Sequence, residues 1–290
     1  MLDHFSCKPL CHGETSIWKD VYDGLPIMSD AAVGARTGYG DAPYFIFCDH
    51  ASNRVPDGLN ALGLPDDILQ THIAWDIGAR DMTHELARRL SGEAFVCEFS
   101  RLVLDPNRDP AADDLIPPTS DQIPIPGNQM LSGDDRDKRI ERFHRPYHEY
   151  LGNTICAFTD RHASPFVVSI HSYTKRLMGA RHDRPWPVGL LWADDPASAR
   201  SIINFLEGEV AWPVGDNEPY DGQYYDYTIR THATARNLRH LTFEVRQDWL
   251  SDPARFTEIA DLLSRGIAHV AQEQSSATVI NGRFSSTERT

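Results

Sequence analysis

The sequence predicts an α/β domain whose mostly parallel sheet is covered by helices on both sides. Two observations carry this. Short apolar runs of strand length alternate along the chain with longer segments that are apolar at helical spacing, the pattern of an α/β layer architecture. The clearest run, Tyr44-Phe45-Ile46-Phe47-Cys48, is apolar at every position, as expected of a strand buried on both faces.

The elements follow in order. Residues 1–40 are mixed and rich in Gly, Asp and Ser, so they read as an N-terminal extension; a single domain is expected over 41–274, and a frayed polar tail over 275–290. The first strand is 44–48. Ile77, Met82, Leu86 and Leu90 then mark a helix over 77–90, and residues 95–104 carry another strand pattern. Residues 109–133 hold many Pro, Asp and Gly and read as a long loop, which in a compact domain is more often functional than idle. Ile140, Phe143, Tyr147, Leu151, Ile155 and Phe158 fall at steps of three and four and mark one face of a helix over 135–160. Further strands are expected at 166–170, 188–192 and 241–245, with helices over 196–209, 226–237 and 253–272. No internal repeat is present.

Composition narrows the function classes. At 290 residues, 41% hydrophobic and 24% charged, the chain is an ordinary globular protein with length enough for one large core. No run of about 18 apolar residues exists, so no membrane span is expected, and the N-terminus lacks the pattern of a secretory signal. A formal net charge of -14 opposes binding to phosphate backbones. A small anionic substrate remains compatible, because local arginines can oppose the global charge. Five cysteines, an odd number at irregular spacing, fit reduced thiols in a cytoplasmic protein. Cys7 and Cys11, flanked by His4 and His12, read as a loose tail rather than a metal site, since no second Cys pair completes a zinc-finger spacing. The oligomeric state does not follow from the sequence.

Reactive residues recur where apolar strands end. Asp49-His50 follows the first strand. Asp105, Asn107 and Arg108 follow Leu102-Val103-Leu104, and His171 follows Val167-Val168-Ser169-Ile170. Glu244 lies inside the last strand. In open α/β sheets ligands bind beyond the carboxyl ends of the strands, so these groups are expected in one crevice. His50 and His171 suit a catalytic zinc, which takes neutral imidazoles, often one carboxylate, and a water whose pKa falls to about 7. With 13 histidines in the chain, a satisfied core histidine is the ordinary reading of either one alone; their shared placement raises the metal reading beside it. Glu244 is either a general base or the partner of a structural ion pair with Arg246, since an unpartnered carboxylate in an apolar strand is costly. Arg101, Asn107 and Arg108 are candidates for gripping a carboxylate, against a plainer reading as surface salt bridges. No Gly-x-Ser-x-Gly elbow is present, which disfavours a serine hydrolase. No Gly-rich phosphate loop or dinucleotide fingerprint is present either.

Five segments carry a resemblance. Cys48-Asp49-His50-Ala51-Ser52-Asn53-Arg54-Val55-Pro56, Ser100-Arg101-Leu102-Val103-Leu104-Asp105-Pro106-Asn107-Arg108, Ser169-Ile170-His171-Ser172-Tyr173, Asn217-Glu218-Pro219-Tyr220-Asp221-Gly222 and Phe243-Glu244-Val245-Arg246-Gln247-Asp248 resemble the N-formylglutamate amidohydrolase family, in the expected order, over about residues 43–270. The resemblance extends to zinc carboxypeptidases and aspartoacylases. It implies a three-layer α/β/α sandwich with a mixed, mostly parallel sheet. It also implies a zinc-activated water, Glu244 as general base, and an N-formyl or N-acyl amino acid such as N-formylglutamate as substrate. Asp105-Pro106-Asn107-Arg108 is similar to the Asp-x-Asn-Arg element of aspartoacylases. That similarity implies Asn107 and Arg108 in the substrate pocket and Arg101 at the oxyanion. Arg246, Asn217, Tyr220 and His232 are further candidates for binding the substrate.

One departure matters. The wider group uses His-x-x-Glu for its first two ligands, and this chain has His50-Ala51-Ser52-Asn53. Either Asn53 ligates weakly or another acid substitutes. Asp76 is the candidate acid, with a helix N-cap as its alternative role. A site short of an anionic ligand would suit another divalent ion such as cobalt. Two other readings stay open: a related hydrolase of small peptides or cell-wall fragments, and a non-catalytic binding protein on the same fold.

Overall fold

In the computed structural model, residues 33–284 are described, with side chains for residues 33–273. His4, Cys7, Cys11, His12 and most of the expected N-terminal extension lie outside the described residues. The strands are β1 (Gly34–Gly38), β2 (Tyr44–Cys48), β3 (Glu93–Cys97), β4 (Thr119–Ser120), β5 (Ile123–Pro124), β6 (Phe166–Tyr173), β7 (Val188–Leu191), β8 (Val214–Asp216) and β9 (Arg239–Arg246). The principal helices are α1 (Ala79–Arg89), α2 (Arg145–Thr159), α3 (Pro196–Glu209), α4 (Tyr227–His232) and α5 (Pro253–Phe284).

Seven strands form one sheet in the order β1-β3-β2-β6-β9-β7-β8. β3, β2, β6 and β9 run parallel, whereas β1 and β7 pair antiparallel with β3 and β9. The sheet is mixed and mostly parallel, as predicted. β6 is buried at all eight positions, because it lies between β2 and β9 with helices on both faces.

The strand period of two distributes the core. Ile46 and Cys48 join Val168, Leu241 and Phe243 on one face, under Met82 and Leu86 of α1, Ile202 and Leu206 of α3, and Leu263 and Ile267 of α5. Phe45 and Phe47 join Phe95 and Val167 on the other, under Tyr147, Leu151, Ile155 and Phe158 of α2 and Ile229 of α4. A fully buried side chain of this size contributes roughly 1.5–3 kcal/mol, so both helix layers are anchored by the faces that the periodicity marked. The result is a three-layer α/β/α sandwich.

Two turns position the functional groups. Gly78 has φ 82°, and a Cβ there would meet Leu250 Cβ at 2.6 Å; glycine at this left-handed position lets α1 start just after Asp76. Gly189 on β7 lies so close to the backbone that a Cβ would meet the Glu218 carbonyl oxygen. Its bare backbone admits the loop that carries Tyr220.

Several elements differ from expectation. The strand expected over 95–104 stops at Cys97. Leu102 and Val103 are buried in a turn instead, where Asn128 Nδ2 donates to Leu102 O at 2.8 Å and Arg139 Nη1 to Val103 O at 3.0 Å. Side chains satisfy these carbonyls, so the apolar triplet needs no neighbouring strand. β1 and β8 add edge strands that short, weakly apolar sequences do not announce, and β4–β5 form a hairpin inside the expected loop 109–133. The helix expected over 226–237 is shortened to α4 and a 3-10 turn, while α5 continues beyond 272 to Phe284. Cys48 and Cys97 are free and buried; Cys156 is disulfide-bonded, which corrects the expectation of reduced thiols throughout. Among the described residues no helix is long and apolar enough to cross a membrane.

Candidate metal centre and active site

His50 stands just beyond the end of β2, His171 on β6, and Asp76 in the turn before α1. Each offers one donor atom, and the three donors lie within 4.8 Å of one another. Asp76 is tied to the first ligand through the backbone, its N–H donating to His50 O at 2.9 Å. It does not cap α1, which has no side-chain cap bond. Asp76 Oδ2 lies 3.4 Å from His50 Nδ1 and 2.9 Å from His171 Nδ1.

The ring tautomer of His50 follows from its partner. Nε2 lies 2.7 Å from Asp105 Oδ1, and a carboxylate only accepts, so Nε2 carries the hydrogen and Nδ1 is left with its lone pair. That buried Nδ1 has no hydrogen-bond partner. His171 also presents Nδ1 to the cluster, where it donates to Asp76 Oδ2 at 2.9 Å, and turns Nε2 toward Asp49 Oδ2 at 3.7 Å, beyond hydrogen-bond distance. Asp49 is held from behind by Tyr147 Oη at 2.6 Å and Thr228 Oγ1 at 3.0 Å. A carboxylate behind each imidazole is the arrangement that orients a metal-binding histidine. Two imidazole nitrogens and one carboxylate oxygen form a donor set that fits a catalytic divalent ion such as zinc or cobalt.

Glu244 sits opposite His171 in the parallel register of β6 and β9, so both side chains leave the sheet on the same side. Its Oε2 is buried without a partner, and burial pushes its carboxyl up to about 7. Arg101 Nη2 donates to Asp105 Oδ2 at 2.5 Å, and Nη1 lies 3.5 Å from Asp76 Oδ1. Burial alone would raise the Asp105 and Asp76 carboxyls. Arg101 and His50 beside Asp105, and His50 and His171 beside Asp76, hold both well below the usual range. The same carboxylates hold the guanidinium of Arg101 charged.

A cavity of about 110 Å³ is lined by His50, Asp76, His171, Arg101, Asn107, Arg108, Tyr220 and Glu244. These sequence candidates, drawn from separate loops and strands, are therefore brought together. Asn107 Oδ1 accepts from Thr228 N at 2.9 Å, at the start of α4. The Arg108 guanidinium stacks over Tyr225 at 5.1 Å, and its Nε donates to the exposed Asp114 at 2.9 Å.

Four candidates go elsewhere. Asn53 donates to Leu69 O at 3.0 Å and lies outside the donor cluster; its segment is irregular, so the three-residue spacing does not turn it toward His50. Arg246 is spent on Asp248, at 2.7 and 3.1 Å, and on the Arg184 carbonyl. Asn217 accepts from Trp192 N at 2.8 Å and Gly222 N at 3.2 Å, so it shapes the loop bearing Tyr220 without lining the cavity. His232 faces a separate cavity, with its Nε2 2.8 Å from His148 Nδ1. Conversely, Asp49 and Asp105 stand near the two imidazoles, a role that strand-end position alone does not assign, and Ser172, Leu191 and Tyr225 also line the cavity. The adjacency of Asp49 to His50 was the available signal for the first; nothing local marked Leu191 or Tyr225.

Comparison with known proteins identifies the family and the fold. The family model described as N-formylglutamate amidohydrolase matches residues 42–251. Among solved structures, the gene product Atu2144 from Agrobacterium tumefaciens is similar at 27% identity and a TM-score of 0.80, covering 86% of this chain and 100% of its own. The N-formylglutamate amidohydrolase from Ralstonia eutropha shares the fold at 20% identity and a TM-score of 0.62, covering 83% of this chain and 98% of its own. No curated protein matches the chain.

Proposed function

Because the chain belongs to the N-formylglutamate amidohydrolase family and is thereby a hydrolase of amide bonds, we propose that it cleaves the amide of an N-formyl or N-acyl amino acid with the help of a divalent ion. His50, Asp76 and His171 would hold the ion. When bound, it would polarise the scissile carbonyl and acidify water. The observation that carries the reading is the unpartnered Glu244 Oε2 opposite His171, beside a donor set that includes an unpartnered imidazole nitrogen.

Glu244 has one task before the tetrahedral stage and one after it. Its carboxylate removes a proton from the attacking water, and the resulting carboxylic acid returns that proton to the leaving amine nitrogen. Burial favours the neutral form of Glu244, which suits the second transfer. Arg101 lies beside Asp76 with its charge secured by two carboxylates, and that charge favours the developing oxyanion. Asn107 and Arg108 offer donors for the substrate carboxylate, with Arg108 steadied on the Tyr225 ring. Asp76 supplies the carboxylate that Asn53 does not, so the substitution at 53 lends no weight to a non-catalytic reading.

The test is reconstitution. Protein stripped with a chelator should hydrolyse N-formyl-L-glutamate only after zinc or cobalt is restored, with about one ion bound per chain. Full activity in the stripped protein would refute the metal dependence.

A further inference from the structure

A second cavity shares part of the first one's wall, including Arg101. This second compartment, of about 160 Å³, meets the first at Asp76, Arg101, Ser172 and Tyr220. Glu244, Asn107 and Arg108 line only the first. In the reading proposed above, on which this inference rests, the leaving amine takes its proton from Glu244 and the substrate carboxylate takes Arg108. Both belong to the amino-acid half of the substrate, so that half is anchored in the first compartment, whose mouth is open to solvent. The second then faces the remaining substituent of the scissile carbonyl, the acyl side.

A formyl group has only hydrogen there. About 10–15 Å³ is enough for one water, and a cavity of about 150 Å³ admits a benzene ring, so the second compartment is far larger than a formyl hydrogen needs. Its chemistry is also specific. Ile73 and Leu177 give apolar wall, and Ser120, Thr174 and Gln247 give neutral polar groups. The basic side chains lining it are already engaged: Arg101 with Asp76 and Asp105, and His72 with Asp121 at 3.0 Å. Asp76 and Asp121 already hold these partners, and an acyl carboxylate would have to compete for them. The outer wall is braced as well. Asp121, at the tip of the β4–β5 hairpin, accepts from Met178 N at 2.9 Å, and Gln122 Nε2 donates to Met178 O at 2.5 Å.

We propose that this compartment is an acyl-binding subsite, and that the chain's substrates carry an uncharged acyl group of about two to seven carbons rather than formyl. Each buried methylene strengthens binding by about fourfold, so three added carbons should be felt at least tenfold.

The experiment compares N-formyl-, N-acetyl-, N-butyryl-, N-benzoyl- and N-succinyl-L-glutamate on the metal-loaded protein. KM is the decisive quantity, because formyl amides are intrinsically the more reactive. KM for the butyryl compound should lie at least tenfold below those for the formyl and succinyl compounds. Ser120→Trp and Leu177→Trp, two independent fillings of the compartment, should each raise the butyryl-to-formyl KM ratio at least tenfold. A formyl KM equal to or below the butyryl value, or a succinyl KM matching it, overturns the proposal while leaving the amidohydrolase reading intact. An unchanged KM ratio in folded variants does the same. No turnover of any of the five removes that reading, and the subsite with it.

Discussion

Two clusters of histidines among the described residues are built to opposite ends. His50 and His171 are set among carboxylates: Asp105 behind one ring, Asp49 behind the other, and Asp76 between them. His144, His148 and His232, on α4 and on the helix leading into and forming α2, are set among carbonyls and one another. His148 Nε2 donates to Pro106 O at 2.9 Å, His232 lies 2.8 Å from His148, and His144 Nε2 lies 3.0 Å from Arg108 O. Carboxylates around an imidazole favour a positive charge in its place or beside it, and they push His171 well above its ordinary value despite burial. Carbonyls and neighbouring imidazoles do not offset burial, so His148 falls well below its ordinary value and His232 to about 4. The first group is fit to hold a cation. The second is a neutral packing cluster that carries Pro106, and with it Asn107 and Arg108, into place. Histidine alone says little about a site; what stands behind the ring decides.

The largest expected effect breaks the first region at its base. Glu244→Gln should lower kcat for the preferred substrate by about 10²–10⁴-fold, with metal content by atomic absorption unchanged. An active Glu244→Gln protein would assign the base elsewhere. Next, Asp105→Asn replaces the acceptor behind His50 and should weaken zinc binding by about 10–100-fold in a chelator competition, whereas His148→Gln should leave zinc affinity alone. Equal losses in the two variants would erase the distinction between the groups.

The third prediction concerns pH. Burial, then Arg236, depress His232 in the folded protein to about 4, against 6.5 unfolded. The unfolded chain therefore binds the extra proton first as pH falls. The stability this group contributes is complete above about 6.5 and is lost as pH drops through about 4. The loss is on the order of 3 kcal/mol, read as the difference between urea melts of the parent and of His232→Gln across that window. Parallel pH dependences would show that His232 charges without penalty. The smallest effect is at Asn53. Asn53→Ala should cost about 1 kcal/mol for the lost bond to Leu69 O and leave zinc affinity within about twofold; a large loss of zinc would make Asn53 a ligand after all.

Much of the fold was legible. β2, β6, β7 and β9, and helices α1, α2 and α3, fall where consecutive apolar runs and three-to-four spacing put them, because burial on a sheet or under a helix selects side chains position by position. β1, β8 and the β4–β5 hairpin were not legible, because they are short and lie at edges where burial selects weakly. The triplet Leu102-Val103-Leu104 misled for the opposite reason. It is as apolar as a strand, but Asn128 and Arg139 satisfy its carbonyls from a distance in sequence, and no local pattern records that.

The same division runs through the site. By itself, the sequence determined that His50, His171 and Glu244 leave the sheet near strand ends, since strand position and direction are local properties, and the Asp-x-Asn-Arg element marked Asn107 and Arg108. Which of Asn53 and Asp76 stands beside the two histidines is visible only in the folded chain. The three-residue spacing that relates two ligands in the wider group acts only if the intervening backbone turns both side chains one way. Here that backbone is irregular and Asn53 turns to Leu69. Asp76 arrives from 26 positions along the chain after His50, held by one N–H···O=C bond to His50 and by a left-handed glycine before α1. A contact made by backbone geometry between distant segments leaves no spacing to read.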